Sequence, residues 1–451
     1  MRQDECSSLS AQPGIYRESV CRTISEHGVG VSEQTVSASP AWGQADGVPL
    51  FPDVGVIALV PEPWGGPWQL RHHFLVKLAR YFSMVWVDPH QEWRHVWSGE
   101  SRASEREGEP PPANEGFWVH RQEWWLPKLY RPEGLARFTE GHRLRRARRF
   151  LLGKGCRRIV LYLWRPEFDV ALEHVPHDLS CYHIDDEYSF APVEQPLDQR
   201  EAQLIARVNR VFIHSNALMN KKGRLNPHTL KVPNGVDYAA YVRPCPEPDD
   251  LRAIPHPRIG YVGKIKAQLD LRLLRTLALK HPDWAFVFIG PKGFLGNDAA
   301  LCDELFALSN VHYLGGKGVK QLPAYTQHVD VCLLSYQLDG YTKFIYPLKL
   351  HEYFASGRPV VGVPIPALEE FRGLLRMART ADEWSSAIAA SLDPGEMAVE
   401  KVAVRRAVAR QHDWNILVHR VAGEICAGLK APYCERFNQL NSEELALSTP
   451  Q

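Results

Sequence analysis

No apolar run in this 451-residue chain approaches the ~20 residues that span a bilayer. The longest one near the start, "VGVIALV" (Val54–Val60), stops at Pro61. The first fifty residues hold no basic head followed by an apolar stretch, so no signal peptide is expected and a cytoplasmic location is. Nine cysteines are scattered without a Cys-x-x-Cys pair or zinc-finger spacing to histidine. That excludes the common structural zinc modules and fits free thiols in a reducing compartment. An excess of either charge is also missing. Lys and Arg number 53, Asp and Glu 52, for a net charge of +1. The electrostatic case for nucleic acid therefore fails, and no nucleic acid partner is expected.

What is present is a rhythm. Residues 1–48 are polar and aperiodic and read as a disordered tail. After them, short β-branched or aromatic runs alternate with longer helical segments. The runs are continuously apolar, which marks strands buried on both faces of a parallel sheet. "VGVIALV", "MVWVD", "RIVLYLW", "LSCYH", "RVFIH" and "LKV" fall in the first half. "RIGYVG", "WAFVFIG", "VHYL", "DVCLLS" and "PVVGV" fall in the second. Between them, residues 243–257 hold five prolines and cannot form a regular element. The spacing predicts an α/β protein of two Rossmann-like, doubly wound parallel-sheet domains facing a cleft. The expected boundaries are 49–242 and 258–411, with 243–257 as linker. A helix is expected over 412–431 and a second tail over 432–451. Residues 98–116 form a surface insert.

Ligands of open parallel sheets sit beyond the carboxyl ends of the strands, so polar residues there matter most. Gly263 and Lys264 end the strand "RIGYVG". Glycine admits a phosphate to the backbone and lysine supplies a charge, or the pair is a plain turn. In "PLKLHEYFASGRPVV" (347–361), Lys349, Glu352 and Ser356 share one helix face. Lys349 lies in the first turn, where its charge opposes the helix dipole. A cation beside free N–H groups suits a diphosphate, and a carboxylate one turn deeper suits a pair of ribose hydroxyls. The alternative is a Lys–Glu surface pair worth a few tenths of a kcal/mol.

The order of these motifs resembles the nucleotide-sugar domain of GT-B glycosyltransferases, most closely the retaining GT4 group. "KVPNGVDYAAY" (231–241) is similar to that family's inter-domain signature, and "LPAYTQHVDVCLLSY" (322–336) to its next helix and strand. The resemblance spans about 54–430, is denser in the second half, and implies that the helix over 412–431 crosses back to the first domain. It implies a glycosyltransferase that moves a sugar from a nucleoside diphosphate sugar, such as a UDP-sugar, to an acceptor hydroxyl. Cell-surface polysaccharide or glycolipid synthesis is the expected setting, with a carbohydrate or lipid-linked acceptor. It implies Glu352 at the donor ribose and Gly263, Lys264 and Lys349 near the diphosphate. "GGKGVKQLP" (315–323) lies where backbone groups hold the base. There are two departures. The acid that usually stands eight residues before the glutamate is Phe344, and a second basic residue after Lys264 is replaced by Leu269.

In the first domain, Gly65 and Gly66 follow the first strand, where the family brings a glycine loop to the donor. Trp64 and Trp68 beside them offer an apolar acceptor platform or pack the turn. "CYHIDDEYSF" (181–190) crowds His183, Asp185 and Asp186 at a strand end, and these are the candidate catalytic residues. No Asp-x-Asp occurs in the chain, and neither metal nor cofactor is expected. Residues 141–158 hold eight Arg or Lys and no acid, as a solvated helix or a contact with anionic membrane. Two other readings stay open: a nucleotide-sugar epimerase of the same fold, and a non-catalytic nucleotide-sugar- or polymer-binding relative.

Overall fold

The computed structural model describes residues 47–66, 68–89, 116–121 and 133–448. The expected N-terminal tail and the 98–116 insert lie almost wholly outside them.

Seven parallel strands form the first sheet: β1 (Phe51–Leu59), β2 (Phe82–Val87), β3 (Phe117–His120), β4 (Arg158–Leu163), β5 (Leu179–Ile184), β6 (Arg210–Ile213) and β7 (Thr229–Lys231). Their order is β3-β2-β1-β4-β5-β6-β7. Six more form the second: β8 (Arg258–Val262), β9 (Ala285–Ile289), β10 (Val311–Tyr313), β11 (Val331–Leu334), β12 (Val360–Gly362) and β13 (Arg376–Met377), in the order β10-β9-β8-β11-β12-β13. Both orders reverse beside the first strand of the domain, between β1 and β4 and between β8 and β11. Those are the topological switch points where such sheets open a crevice. Two strands are not marked by the sequence pattern. Both are short edge strands: β3 has four residues with only Phe117 fully buried, and β13 has two, so neither gives a long buried run.

Five helices frame the cleft and its supports: α1 (Leu70–Leu78), α2 (Glu133–Gly153), α3 (Leu348–Ala355), α4 (Trp414–Leu429) and α5 (Tyr433–Ser448). α4 buries Trp414, Leu417, Val418, Val421, Ala422, Ile425, Cys426 and Leu429, a continuous 3–4 stripe. The stripe joins the first domain's core with Phe74, Tyr162 and Phe212. A loose tail is expected over residues 432–451, and α5 corrects this. Tyr433 Oη donates to Asp53 Oδ2 (2.8 Å), and Phe437 packs in the same core. Its apolar stripe of Tyr433, Phe437 and Leu440 is narrow, which hides the helix in the sequence.

Two chain crossings join the domains, and they touch. Val236 N–H donates to His412 O (2.9 Å) and Trp414 N–H to Val236 O (3.0 Å). Gly235 sits at this crossing, where a Cβ would lie 2.7 Å from His412 O and 2.8 Å from the Trp414 ring. The glycine of "PNGVD" is thus a close-approach residue. Of the nine cysteines, the seven within the described residues are free thiols, five of them buried. Among the described residues no helix is long and apolar enough to cross a membrane.

A second join is made by residues 340–346. Gly340 N–H donates to Pro192 O (2.6 Å), Lys343 pairs with Glu194, and Ser215 Oγ donates to Phe344 O (3.4 Å). Phe344 itself is 2% exposed and packs in the first domain's second core cluster with Ile184, Ile213 and Leu218. The lysines at 221 and 343 lie over its ring at 5.0 and 4.9 Å. The residue that stands in place of an acid is a hydrophobic plug between domains. We expect Phe344→Ala to cost about 3–5 kcal/mol, the usual scale for emptying a buried phenylalanine site. Urea unfolding of the two proteins measures it, and a loss under about 0.5 kcal/mol, the range of ordinary surface changes, would refute the plug.

Candidate functional site

The second domain's half of the cleft is built at the β8/β11 switch point. β8 is followed at once by Gly263, whose φ of +150° an L side chain rarely adopts. A Cβ there would meet Lys349 Cε at 2.5 Å and Nζ at 2.8 Å. The missing side chain is the space that Lys349 fills. Lys349 comes from the first turn of α3, which no side chain caps. Its ammonium lies 4.9 Å from the centre of the Tyr261 ring and donates to Tyr336 Oη (3.4 Å). Burial works against its charge, but Tyr261, Tyr336 and Glu352 outweigh burial and keep it protonated.

Glu352 stands one turn deeper on the same face, half-buried. Burial pushes its carboxyl above the usual value, opposed by Lys349 and by the adjacent Tyr241 hydroxyl. Lys264 is exposed and Lys266 half-buried. Burial lowers the Lys266 ammonium, as do Lys349 and Lys264, while Asp186 raises it. Among the described residues, Lys264 and Lys266 have neither a side-chain hydrogen bond nor an ion pair, and Lys349 has no ion pair. Three mutually repelling cations without a paired carboxylate among the described residues are an arrangement that an anion of two or more charges would relieve.

Motif reading of the sequence misses Lys266. Its signal is period two: in "GKIK" the buried Ile265 separates two lysines on one side of an extended segment. Leu269, at the position of the second basic residue, is fully buried in the core.

The first domain supplies the facing wall at the ends of β1, β4 and β5. The three candidate residues of "CYHIDDEYSF" have separate surroundings. His183 is 1% exposed and stacked on Trp164 at 4.1 Å, with Nδ1 2.9 Å from Tyr162 Oη. Burial, then His214 and Arg71, hold it neutral far below the usual histidine range. Asp185 belongs to a buried ion triad. Arg71 bridges it (2.6 Å) to Glu62 (2.7 Å), and Tyr188 Oη donates to it (3.1 Å). This triad ties α1 to the loops after β1 and β5, and removing one member would strand a buried charge. Asp186 faces the second domain. It accepts from Tyr341 Oη (3.0 Å) and from Glu187 N–H (2.8 Å). Burial and then Asp185 push its carboxyl up to about 6, against Tyr341 and Lys266.

Gly65 and Gly66 lie in a turn closed by Gly66 N–H donating to Pro63 O (3.2 Å). Trp64 is 1% exposed and packs on Trp86 and Phe117, so it fills the turn's core rather than offering a platform. Trp68 is half-buried, near Trp64 and stacked on His72. No group of three or more His, Cys, Asp or Glu among the described residues is arranged to hold a metal.

The two sheets, their orders and the cleft between them define the architecture. This is the GT-B fold. Solved structures share it over most of their length. Sucrose-phosphate synthase from Thermosynechococcus elongatus superposes with a TM-score of 0.60 at 13% identity, covering 88% of this chain and 100% of that one. HepE of Anabaena, solved with UDP and glucose, gives 0.56 at 13% identity, covering 83% and 99%. Residues 256–393 match the family model described as Glycosyl transferases group 1. A Bacillus subtilis (strain 168) protein named as a teichuronic acid biosynthesis glycosyltransferase, TuaH, is 30% identical over 234 residues, 49% of this chain. The match spans 57% of that relative's length.

Asp186 yields a pH test with a definite sign. Its native carboxyl holds a proton up to about 6, against an ordinary value of 3.8. Its stabilising contribution is therefore full below 3.8 and is lost as pH rises through about 6. Asp186→Asn should melt at temperatures that fall less than wild type between those limits. Parallel melting curves would contradict the shift.

Proposed function

We propose that this GT-B protein is a metal-independent, retaining glycosyltransferase that uses a nucleoside diphosphate sugar. One observation carries the reading. Three ammonium groups without ion pairs among the described residues, two after β8 and one in the first turn of α3, match a diphosphate, and the half-buried Glu352 one turn farther along α3 matches a ribose. Lys349, Lys266, Lys264 and the uncapped first turn of α3 would take the diphosphate. Glu352 would accept from the ribose hydroxyls. As the bond from the sugar's anomeric carbon to the diphosphate breaks, the same cations stabilise the leaving charge. The acceptor hydroxyl forms the new bond to that carbon and gives its proton to Asp186, whose value of about 6 suits a base near neutrality. Retention rests on the family resemblance alone. The proposed setting is the synthesis of a cell-surface glycan, which the relative's name supports.

Titration calorimetry with UDP, GDP and their sugars tests the donor site. Glu352→Ala, Lys266→Gln and Gly263→Ala should each weaken nucleotide binding about tenfold or more, the scale of a lost charge-assisted contact. Gly263→Ala acts by displacing Lys349, since the new Cβ would lie 2.5 Å from Cε. Wild-type affinity in all three variants would refute the site. Release of nucleoside diphosphate that needs an acceptor and survives EDTA separates transfer from epimerisation and from metal-dependent chemistry.

The basic stretch 141–158 supports a proposal about location. α2 exposes Arg145, Arg146 and Arg149, and Lys154 and Arg157 follow on the same surface stretch. We propose peripheral contact with anionic lipid there. Sedimentation with phosphatidylglycerol vesicles should fall steeply with salt and vanish for neutral phosphatidylcholine vesicles. Equal sedimentation with both would refute it.

A further inference from the structure

Beyond Asp186 the chain passes through Tyr188 to Phe190, and Phe190 is anomalous twice. Its φ is +49°, in the left-handed region that a bulky side chain seldom occupies. The residue is also 48% exposed, so burial gives only a partial return for that backbone. Strain held at an exposed aromatic points to something the ring binds. The ring packs at one side against Tyr341 of the second domain (5.6 Å between centres). The same Tyr341 donates to Asp186, so the exposed ring adjoins the carboxylate assigned to the acceptor proton.

A guanidinium completes the surface. Arg165 lies over both the Tyr188 ring (4.7 Å) and the Phe190 ring (5.3 Å). Among the described residues its buried Nε makes no hydrogen bond, only a long 3.6 Å ion pair with the exposed Glu167. Stacking on two rings holds the planar fork still, and that geometry suits a carboxylate.

We infer that Phe190 and Arg165 form an acceptor subsite for an acidic saccharide. The pyranose C–H face would stack on Phe190, the carboxylate would meet Arg165, and a hydroxyl of the ring would approach Asp186. The inference rests on the transferase reading above and names its acceptor class. Phe190 and Arg165 are thereby specificity residues, outside the donor-binding group.

The test uses the full chain saturated with UDP. Tetragalacturonate and a hyaluronan tetrasaccharide are titrated against neutral maltotetraose, with octyl glucoside below its micelle concentration as the alkyl probe. An acidic oligosaccharide should bind about tenfold more tightly than the neutral one, the scale of one carboxylate–guanidinium contact. Arg165→Gln should abolish that preference. Phe190→Gly should weaken both saccharides while leaving the melting temperature unchanged or higher, because glycine accepts the backbone angle without strain. UDP affinity should be unchanged in both variants. Equal binding of acidic and neutral probes, binding of the alkyl probe alone, or wild-type saccharide affinity in the variants would overturn the subsite. Failure of the wild type to bind any nucleotide would instead overturn the donor reading.

Discussion

The cleft takes its shape from the seating of residues 340–346 against the first domain. Phe344 fills a gap among Ile184, Ile213 and Leu218, and its neighbours make polar contacts around it. That seat sets the distance between the strand ends of the two sheets. It brings the Tyr341 hydroxyl to Asp186 and leaves Lys266 within electrostatic reach of the same carboxylate. A greasy contact is suited to this task because it is insensitive to salt and to protonation, whereas the charged cleft beside it is not. The chain crossing at Val236 and His412 supplies the second fixed point. Two joins make the relative placement of the domains a matter of packing as well as of linkage.

How much of this is legible in the sequence depends on how far each signal is local. The sheets are legible because buried parallel strands are continuous apolar runs, and β3 and β13 are not because they are short edge strands with little full burial. Lys349 and Glu352 are legible because helix spacing alone puts them on one face. Gly263 can be marked as a strand end, but its reason is the Lys349 side chain laid across it, from a residue 86 positions later. Lys266 needs a period-two pattern across a strand end, and the glycine–lysine motif stops short of it at Lys264. Phe344 looks like a missing acid because a sequence shows the residue type and hides the direction. Its side chain points into another domain's core, and no local pattern encodes that.

The adjacent carboxylates after β5 show the same limit more sharply. Asp185 and Asp186 are neighbours in sequence and identical in chemistry, yet their partners divide them. Asp185 is held by Arg71, a buried cation with Glu62 on its other side, and its task is to keep α1 in place. Asp186 has a tyrosine hydroxyl and a backbone N–H instead, so burial is only partly offset and its proton is held up to about 6. Arg71 lies in α1 and Tyr341 in the other domain. Chain proximity places the pair, and distant residues give each its character.

Charge balance across the cleft explains why these features belong together. Lys264, Lys266 and Lys349 repel one another, and the burial of Lys266 adds to the cost of its charge. A bound diphosphate removes both penalties at once. A site of this kind gains more from an anion than separate surface lysines would. Among the described residues, Asp186 is the carboxylate that moderates Lys266 without pairing with it. When an anion takes up the lysine charge, that moderating pull weakens in both directions, and the Asp186 proton affinity rises further. On the proposed reading, donor binding would prepare the opposite wall of the cleft as a stronger base for an acceptor hydroxyl, by Coulomb coupling alone and without movement of either residue.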